Sequence, residues 1–406
     1  MKKNRPFIIT AAFVMLLTGF VCGRALPKCK PGENVSRDIR RLAGHGGVLV
    51  WDRNKNTLFS LNPEEQFIPA STIKLATALA AFTLLGEEYS FPTALFIDSN
   101  NNLYIKGFGD PFLISEEMTL ICEELLQKGI AHINALYLDD TYFDGLIHVP
   151  GTAGSLNPYD ALNGALIVNF NTIYIKKDSK GNISSAEQQT PLTPYAREAA
   201  AALPPGIHRI NLADNPEKSL LYSGELFTAL LTQKGITQNC SLVTRKRVPD
   251  TLHPLFIHSS STTLSTIIQK MMEYSNNFIA NQLLLALGAK LEGEPATIKK
   301  GVKVVAHFLR THCGLDNFSL SEGSGLSREN RFSPVAMQKI LYAFFPYKHL
   351  LNVEDGIMCK TGTLYGVSSL VGYYKNKDGH YRQFVIMLNR KRNYRDKIIK
   401  LLKENI

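Results

Sequence analysis

A serine followed three residues later by a lysine, Ser71-Thr72-Ile73-Lys74, heads the apolar run Leu75 to Ala80. On a helix, positions i and i+3 share one face, which brings the Lys74 amine within reach of the Ser71 hydroxyl. The free N–H groups of a helix start are aimed at developing negative charge. A weak hydroxyl nucleophile thereby gains a base and an oxyanion donor together. Two further elements follow in chain order, Ser275-Asn276-Asn277 and Lys360-Thr361-Gly362-Thr363. A Ser-x-x-Lys pair arises by chance about once or twice in a chain of this length, but a Lys-Thr-Gly triplet in only about one such chain in ten. The ordered set of three carries the weight.

Acyl transfer from an amide needs a nucleophile, a proton for the leaving amine, an oxyanion site and a group that holds the substrate carboxylate. Ser71 is the candidate nucleophile, with Lys74 as its base once neighbours lower the lysine pKa. Ser275, between two helical runs, can relay a proton to the leaving group, and Asn277 can hydrogen-bond a substrate amide. Lys360, on an edge-like strand, offers positive charge to Ser275 and to a terminal carboxylate, while Gly362 lets substrate approach the strand. Plainer readings stand beside these. Ser275 and Asn277 suit a helix break with caps, Lys360 suits the solvent-facing neighbour of a core Cys359, and Gly323-Ser324-Gly325 suits an ordinary turn.

The elements that must position these residues come from both ends of the chain. Gly46 to Asp52 and Thr57 to Asn62 read as strands about the turn Arg53-Asn54-Lys55-Asn56. Met358 to Lys360, Val367 to Tyr374 and Phe384 to Asn389 read as three more, followed by a helix from about Tyr394. Together they predict one antiparallel sheet against which the site helices pack. Between them, Phe91 to His253 mixes strand-like pieces (Ala94 to Ile97, Leu103 to Lys106, Ala135 to Leu138, Leu166 to Ile175) with helices near Glu116 to Gln127 and Tyr222 to Gln233. This stretch reads as an inserted domain. A helical region resumes at Thr263, breaks at Ser275-Asn276-Asn277 and continues from Phe278 to Leu291, while Lys176 to Pro194, rich in Ser, Gly and Gln, is expected to be a flexible loop. The expected division is therefore a catalytic domain from 26–90 plus 254–406, an inserted domain over 91–253, and a leader over 1–25. The fold class is α+β, an antiparallel sheet flanked by helices.

The three elements and their surroundings resemble the class C low-molecular-mass penicillin-binding proteins, the D-alanyl-D-alanine carboxypeptidase and endopeptidase family, whose signature has Ser-Asp-Asn as its second element. The resemblance extends through Gly107-Phe108-Gly109-Asp110-Pro111, Asn157-Pro158-Tyr159, Ala165 to Asn171, Glu322 to Arg328 and Gly362 to Ser368. It implies a penicillin-binding, serine β-lactamase-like fold and a serine peptidase that acts on peptidoglycan stem peptides through an acyl-enzyme on Ser71. β-Lactams are the implied covalent inhibitors, and no metal or organic cofactor is needed. Thr361, Gly362 and Thr363 are the implied substrate-binding strand, with the backbone N–H groups of Ser71 and Thr363 as the oxyanion hole. Asp139 and Arg328 match positions that read the charged end of a diaminopimelate side chain, Asp140 being an equal neighbour of Asp139; ordinary surface salt bridges are the plainer reading. Family members commonly carry a third domain inside the inserted one. Only about fifty residues separate Asn171 from Tyr222, so that domain is expected to be reduced or absent. A serine β-lactamase or esterase is the rival within this chemistry, and a non-catalytic envelope-binding protein is the rival outside it.

Composition suits this reading: of 406 residues, 45% are hydrophobic and 20% charged, an ordinary globular balance with room for a large core. Lys2, Lys3 and Arg5 precede an apolar run from Phe7 to Cys22 and small residues at Gly23 and Ala25, the pattern of a secretory signal and hence of a periplasmic or envelope-associated protein. An uncleaved anchor and lipidation at Cys22 are the alternatives. Cys29, Cys122, Cys240, Cys313 and Cys359 would remain, an odd number without metal-type spacing. The net charge of +10 and the run Arg390 to Lys397 suggest a solvated helix face first, attraction to an anionic envelope polymer second and nucleic acid a distant third.

Overall fold

The computed structural model describes residues 32–212, 216–239 and 243–406, so the expected leader, Cys29 and Cys240 lie outside the described residues. The chain opens with α1 (Glu33–Ala43), the hairpin β1 (Gly47–Asp52) and β2 (Thr57–Leu61), then α2 (Lys74–Leu85). A central stretch follows: β3 (Pro92–Ile97), β4 (Leu103–Gly107), α3 (Ser115–Gln127), β5 (His132–Ile133), β6 (Leu136–Asp139), β7 (Thr172–Lys177), β8 (Ile183–Ser185), α4 (Pro194–Ala200) and β9 (Gly206–Asn211). It ends with α5 (Pro216–Gln233), β10 (Thr237–Gln238), β11 (Val243–Arg245) and β12 (Phe256–Ser259). Helices α6 (Leu264–Tyr274), α7 (Asn277–Glu292), α8 (Ile298–Cys313) and α9 (Pro334–Phe344) lead to β13 (Asn352–Glu354), β14 (Ile357–Leu364), β15 (Val367–Lys375), β16 (Tyr381–Leu388) and α10 (Arg395–Asn405).

The two chain ends close one six-stranded antiparallel sheet in the order β13-β14-β15-β16-β1-β2. Its strands read as nearly continuous apolar runs because both faces are covered. Alternation decides the partner of each side chain. Val48, Val50 and Leu370 turn to the layer of α1 and α10, where Ile39, Ile398 and Leu402 are buried. Leu49, Val371 and Val385 turn to the larger helical core with Leu75, Leu79, Leu283 and Met337. That core holds α2, which follows the turn carrying Ser71, between the sheet and α7.

The central stretch builds a second core around a five-stranded mixed sheet, β11-β6-β4-β3-β12, with α3 and α5 packed together beside it. Here the structure departs from the sequence reading in several places. The expected junction at residue 253 falls one strand short, because β12 pairs with β3 from Phe256 to Ser259. Leu166 to Ile175 is not one strand: Asn169, Phe170 and Asn171 all take positive φ, and the strand begins only at Thr172. The Asn169 side chain explains the interruption, since its Oδ1 accepts from Ser115 N at the head of α3. The segment 176–194 is no plain loop; β7 pairs with β8 on one side and β9 on the other, and with α4 this three-stranded unit occupies most of 172–211.

The two cores meet along α7. Asn163 Nδ2 donates to Phe278 O and to Gln282 Oε1, both at 2.9 Å, and Gln282 Nε2 donates back to Gly164 O over 2.8 Å. Ala161, Ile167 and Phe278 bury an apolar contact beside them. The central stretch thereby hangs its 157–167 loop on the first turns of the helix that carries Asn277.

Candidate active site

Ser71 lies in the 3₁₀ turn Ala70–Ile73 that runs directly into α2, which begins at Lys74. The turn is forced: Ala70 has φ +49°, a left-handed conformation that costs an alanine about 1 kcal/mol or more. Two glycines press on it. A Cβ on Gly325 would lie 1.9 Å from Ala70 O, and a Cβ on Gly362 would lie 2.7 Å from Pro69 O and 3.1 Å from Ser71 N. Gly362 is thus the point where β14 passes against the start of the nucleophile's turn, and any side chain would push the strand away.

Lys74 is fully buried. Its Nζ lies 3.0 Å from Ser71 Oγ, 2.7 Å from Asn277 Oδ1 and 2.8 Å from Ser324 O. Two of these partners are carbonyl-type oxygens that only accept. A neutral amine has two N–H bonds and one lone pair, so the two carbonyls take both hydrogens and leave the lone pair facing the Ser71 hydroxyl. Burial, reinforced by the Lys360 charge and opposed by Glu322, holds the Lys74 pKa well below that of an ordinary lysine.

The second element is a helix break in which one side chain does the capping and two are left for other work. Asn276 Oδ1 accepts from Ile279 N over 3.0 Å and starts α7. Ser275 sits in the left-handed position that ends α6, with φ +52°, and Asn277 opens α7. Ser275 Oγ accepts from Lys360 Nζ over 2.9 Å, and Asn277 Nδ2 reaches back to Tyr159 O. The helix break is therefore capped by the backbone of Ser275 at the end of α6 and by the side chain of Asn276 at the start of α7, while the side chains of Ser275 and Asn277 turn to other partners. Lys360 also donates to Thr361 O over 3.1 Å; burial lowers its pKa to about 8, with Cys359 and Glu354 opposing. β13 covers only Ile357 to Cys359, so from Lys360 onward the described ladder of β14 is one-sided. Thr361, Gly362 and Thr363 line that open edge, and Cys359 turns into the core.

Glu322 is the residue the sequence reading passed over. It is wholly buried and accepts from Ser324 N, Ser324 Oγ, Gly325 N, Asn281 Nδ2 and Asn330 Nδ2 at 2.6–3.1 Å. These bonds wrap 322–327 into the loop that presents Ser324 O to Lys74 and Gly325 to Ala70. Gly323-Ser324-Gly325 is therefore part of the site and no incidental turn. The available signal was a glutamate directly ahead of the small-residue run Gly323-Ser324-Gly325, whose free backbone N–H groups suit a buried acceptor.

The two outlying residues fare differently. Arg328 is exposed and donates to Tyr365 O, in the turn between β14 and β15, beside the open strand. Asp139 is 1% exposed, and its carboxylate accepts from Thr141 N, Thr141 Oγ1 and Val248 N at 2.6–2.9 Å. Those bonds tie the exits of β6 and β11, so the carboxylate is spent on the fold rather than held open to a substrate amine. Asp140 pairs with Arg245 over 2.7 Å instead. Among the described residues no group of three His, Cys, Asp or Glu side chains is placed to hold a metal ion.

Comparison with known proteins gives the family and the fold. The chain matches the D-Ala-D-Ala carboxypeptidase 3 (S13) family over residues 34–202, 200–353 and 347–405. It is 26% identical over 409 aligned residues to a D-alanyl-D-alanine carboxypeptidase of Actinomadura sp., covering 82% of this chain and 76% of that one. Penicillin binding protein 4 of Haemophilus influenzae has the same fold, with a TM-score of 0.72 at 23% identity over 91% of this chain and 98% of that one. Its complex with a β-lactam superposes with a TM-score of 0.67 at 22% identity, over 89% and 94% of the two chains. The fold is that of a penicillin-binding protein, and with the family match running from residue 34 to residue 405, the chain belongs to the D-Ala-D-Ala carboxypeptidase 3 (S13) family.

Proposed function

We propose that this protein cleaves the D-alanyl bond of peptidoglycan stem peptides through an acyl-enzyme on Ser71. The observation that carries this is the Lys74 environment, a buried amine whose two hydrogens are taken and whose lone pair is left for Ser71 Oγ 3.0 Å away. Ser71 Oγ attacks the carbonyl carbon of the penultimate D-alanine and gives its proton to Lys74. The developing oxyanion lies between the N–H groups of Ser71 and Thr363. The C–N bond then breaks, the leaving nitrogen takes the Ser275 proton, and the Lys360 ammonium, 2.9 Å from Ser275 Oγ, restores it. Water repeats the sequence in reverse: it gives a proton to the Ser275–Lys360 pair, attacks the ester, and Ser71 departs with the proton held on Lys74.

Asn277 orients the substrate amide, and the open edge of β14 at Thr361, Gly362 and Thr363 receives the peptide as an added strand. Arg328 lies at the mouth of this groove and suits the carboxylate of a diaminopimelate side chain. β-Lactams, whose strained amide carries a carboxylate at the place of the terminal D-alanine, acylate the same serine. The substrate lies outside the cytoplasm, in accord with the leader-like start of the sequence. Among the described residues no helix is long and apolar enough to cross a membrane. Labelling with a fluorescent penicillin, followed by mass spectrometry of the acylated peptide and assay of D-alanine release from a pentapeptide, tests the reading. The adduct is expected on Ser71 and is expected to turn over slowly; an adduct on another serine overturns the assignment.

A further inference from the structure

Lys360 donates two of its three N–H groups, to Ser275 Oγ and to Thr361 O, and so has a single donor left for the groove. Another charge is needed for the carboxylate that a D-alanyl-D-alanine end carries next to its scissile amide. Thr363 is exposed on the open edge of β14, on the same side of the strand as Thr361. Behind it stands the first residue of α10: Arg395 Nη1 donates to Thr363 Oγ1 over 3.2 Å and to Ser369 O over 3.3 Å. A guanidinium has no acceptor, so the Thr363 oxygen accepts and its own proton remains available to an acceptor in the groove. The Arg395 side chain is 17% exposed, and the carboxylate beside it, Asp396 at 3.4 Å, is 80% exposed and screened by water. A mostly buried cation with no buried counter-charge thus stands one hydroxyl away from the substrate strand. Its field reaches Lys360, whose proton affinity it lowers.

We infer that Arg395 is a specificity-determining residue: with the Thr363 hydroxyl it receives the free carboxylate on the Cα bonded to the leaving nitrogen. The inference rests on the Ser71 reading above and adds to it the charge that selects free-acid ends. The surroundings suit an arriving anion, since Arg328 donates to Tyr365 O and Lys391 Nζ lies 5.9 Å over the Tyr365 ring in the adjoining turn.

Depsipeptides test it, because their ester bond is reactive enough to be measured with or without the carboxylate. An acyl-D-Ala ester of D-lactate is compared with the ester of D-lactamide, which differs only in the missing charge. Arg395→Gln is expected to lower kcat/KM on the acid by about tenfold or more, the scale of a charge-assisted hydrogen bond, and to leave the amide within about twofold. Arg395→Lys is expected to recover part of the loss, and penicillin acylation to slow in parallel with the acid. Equal losses on acid and amide, or no loss on either, overturn the inference. If Arg395→Gln does not fold, Arg395→Lys against the parent reads the same contact, with a larger loss on the acid than on the amide supporting the inference and an equal loss, or none, refuting it. Absence of acylation at Ser71 in the unaltered protein is a separate result and removes the underlying mechanism instead.

Discussion

Lys74 and Lys360 are two buried amines asked to do opposite things. In the proposed mechanism Lys74 works as a free base and Lys360 as a cation, and their environments separate them in that order. Lys74 is the more deeply buried and feels the Lys360 charge; Lys360 keeps the raising influence of Cys359 and Glu354 and stays near 8. The sign of the pH dependence follows. Activity on a pentapeptide rises as Lys74 gives up its proton and falls as Lys360 loses its own on passing about pH 8. A kcat/KM profile is expected to be bell-shaped with its alkaline limb near that value. Lys360→Arg, which cannot deprotonate, is expected to move the alkaline limb upward if it retains turnover. Removing the base outright, as in Lys74→Ala, is expected to slow penicillin acylation at least about 10²-fold while the melting transition stays cooperative. Near-normal acylation by that variant contradicts the base role.

At the scale of elements, the site depends on backbone surfaces that touch. Three short motifs, far apart in sequence, were legible because each has a distinctive residue order. The loop that holds them in place was less legible, since its work is done by backbone atoms and by one buried acceptor. Glu322 gathers the N–H groups of Ser324 and Gly325, and Gly325 then lies against Ala70. Nothing in a Glu-Gly-Ser-Gly string announces which strained turn it will support. The strand readings failed where a side chain overrode a β-rich run, as Asn169 does at the head of α3. Gly325→Ala adds a Cβ 1.9 Å from Ala70 O at φ +86°, so both crowding and backbone strain oppose it. It is expected to cost at least about 1–3 kcal/mol in denaturant unfolding and to abolish penicillin labelling. Gly362→Ala, crowding Pro69 O and Ser71 N from an extended strand, is expected to spare more stability and still slow acylation. Labelling of Gly362→Ala at the normal rate contradicts the close approach of β14 to the nucleophile.

The whole molecule is two cores joined by short crossings, and the sequence marks the central stretch by a change of pattern without showing how it is fastened. Asp139 illustrates the difficulty: an acid in a family-like context turns out to bind the Thr141 hydroxyl two residues on and the Val248 N–H far along the chain. A comparable fastening closes the return crossing, where β12 leads to α6. Glu117 of α3 is 3% exposed; its carboxylate accepts from Ser261 N and Oγ at 2.7 and 2.6 Å and lies 2.5 Å from His258 Nε2. Glu124 lies 3.2 Å from His258 Nδ1. Burial opposes charge on both residues, but the hydrogen bonds from His258 and Ser261 outweigh it and lower the Glu117 pKa below its ordinary 4.5, while Glu117 and Glu124 raise that of His258 above its ordinary 6.5. The lowered acid stabilises the fold above pH 4.5 and loses that contribution as pH falls through its folded value. The raised histidine stabilises below pH 6.5 and loses its contribution as pH rises through its folded value. Neighbouring Asp110, pushed up to about 7 by burial, acts in the histidine's direction because its neutral form is the one the fold prefers. Because Asp110 already loses its contribution as pH rises from 3.8 toward about 7, stability of the joined cores is expected to be greatest near the acid end of the window from pH 4.5 to 6.5 and to decline on the alkaline side. Glu117→Gln keeps the shape and removes the charge that holds His258 protonated, so its melting temperature is expected to fall most within that window and to lose much of the alkaline slope. Thermal unfolding followed from pH 4 to 9 in the parent and the variant checks this; parallel curves at every pH contradict the ion pair as the source of the slope.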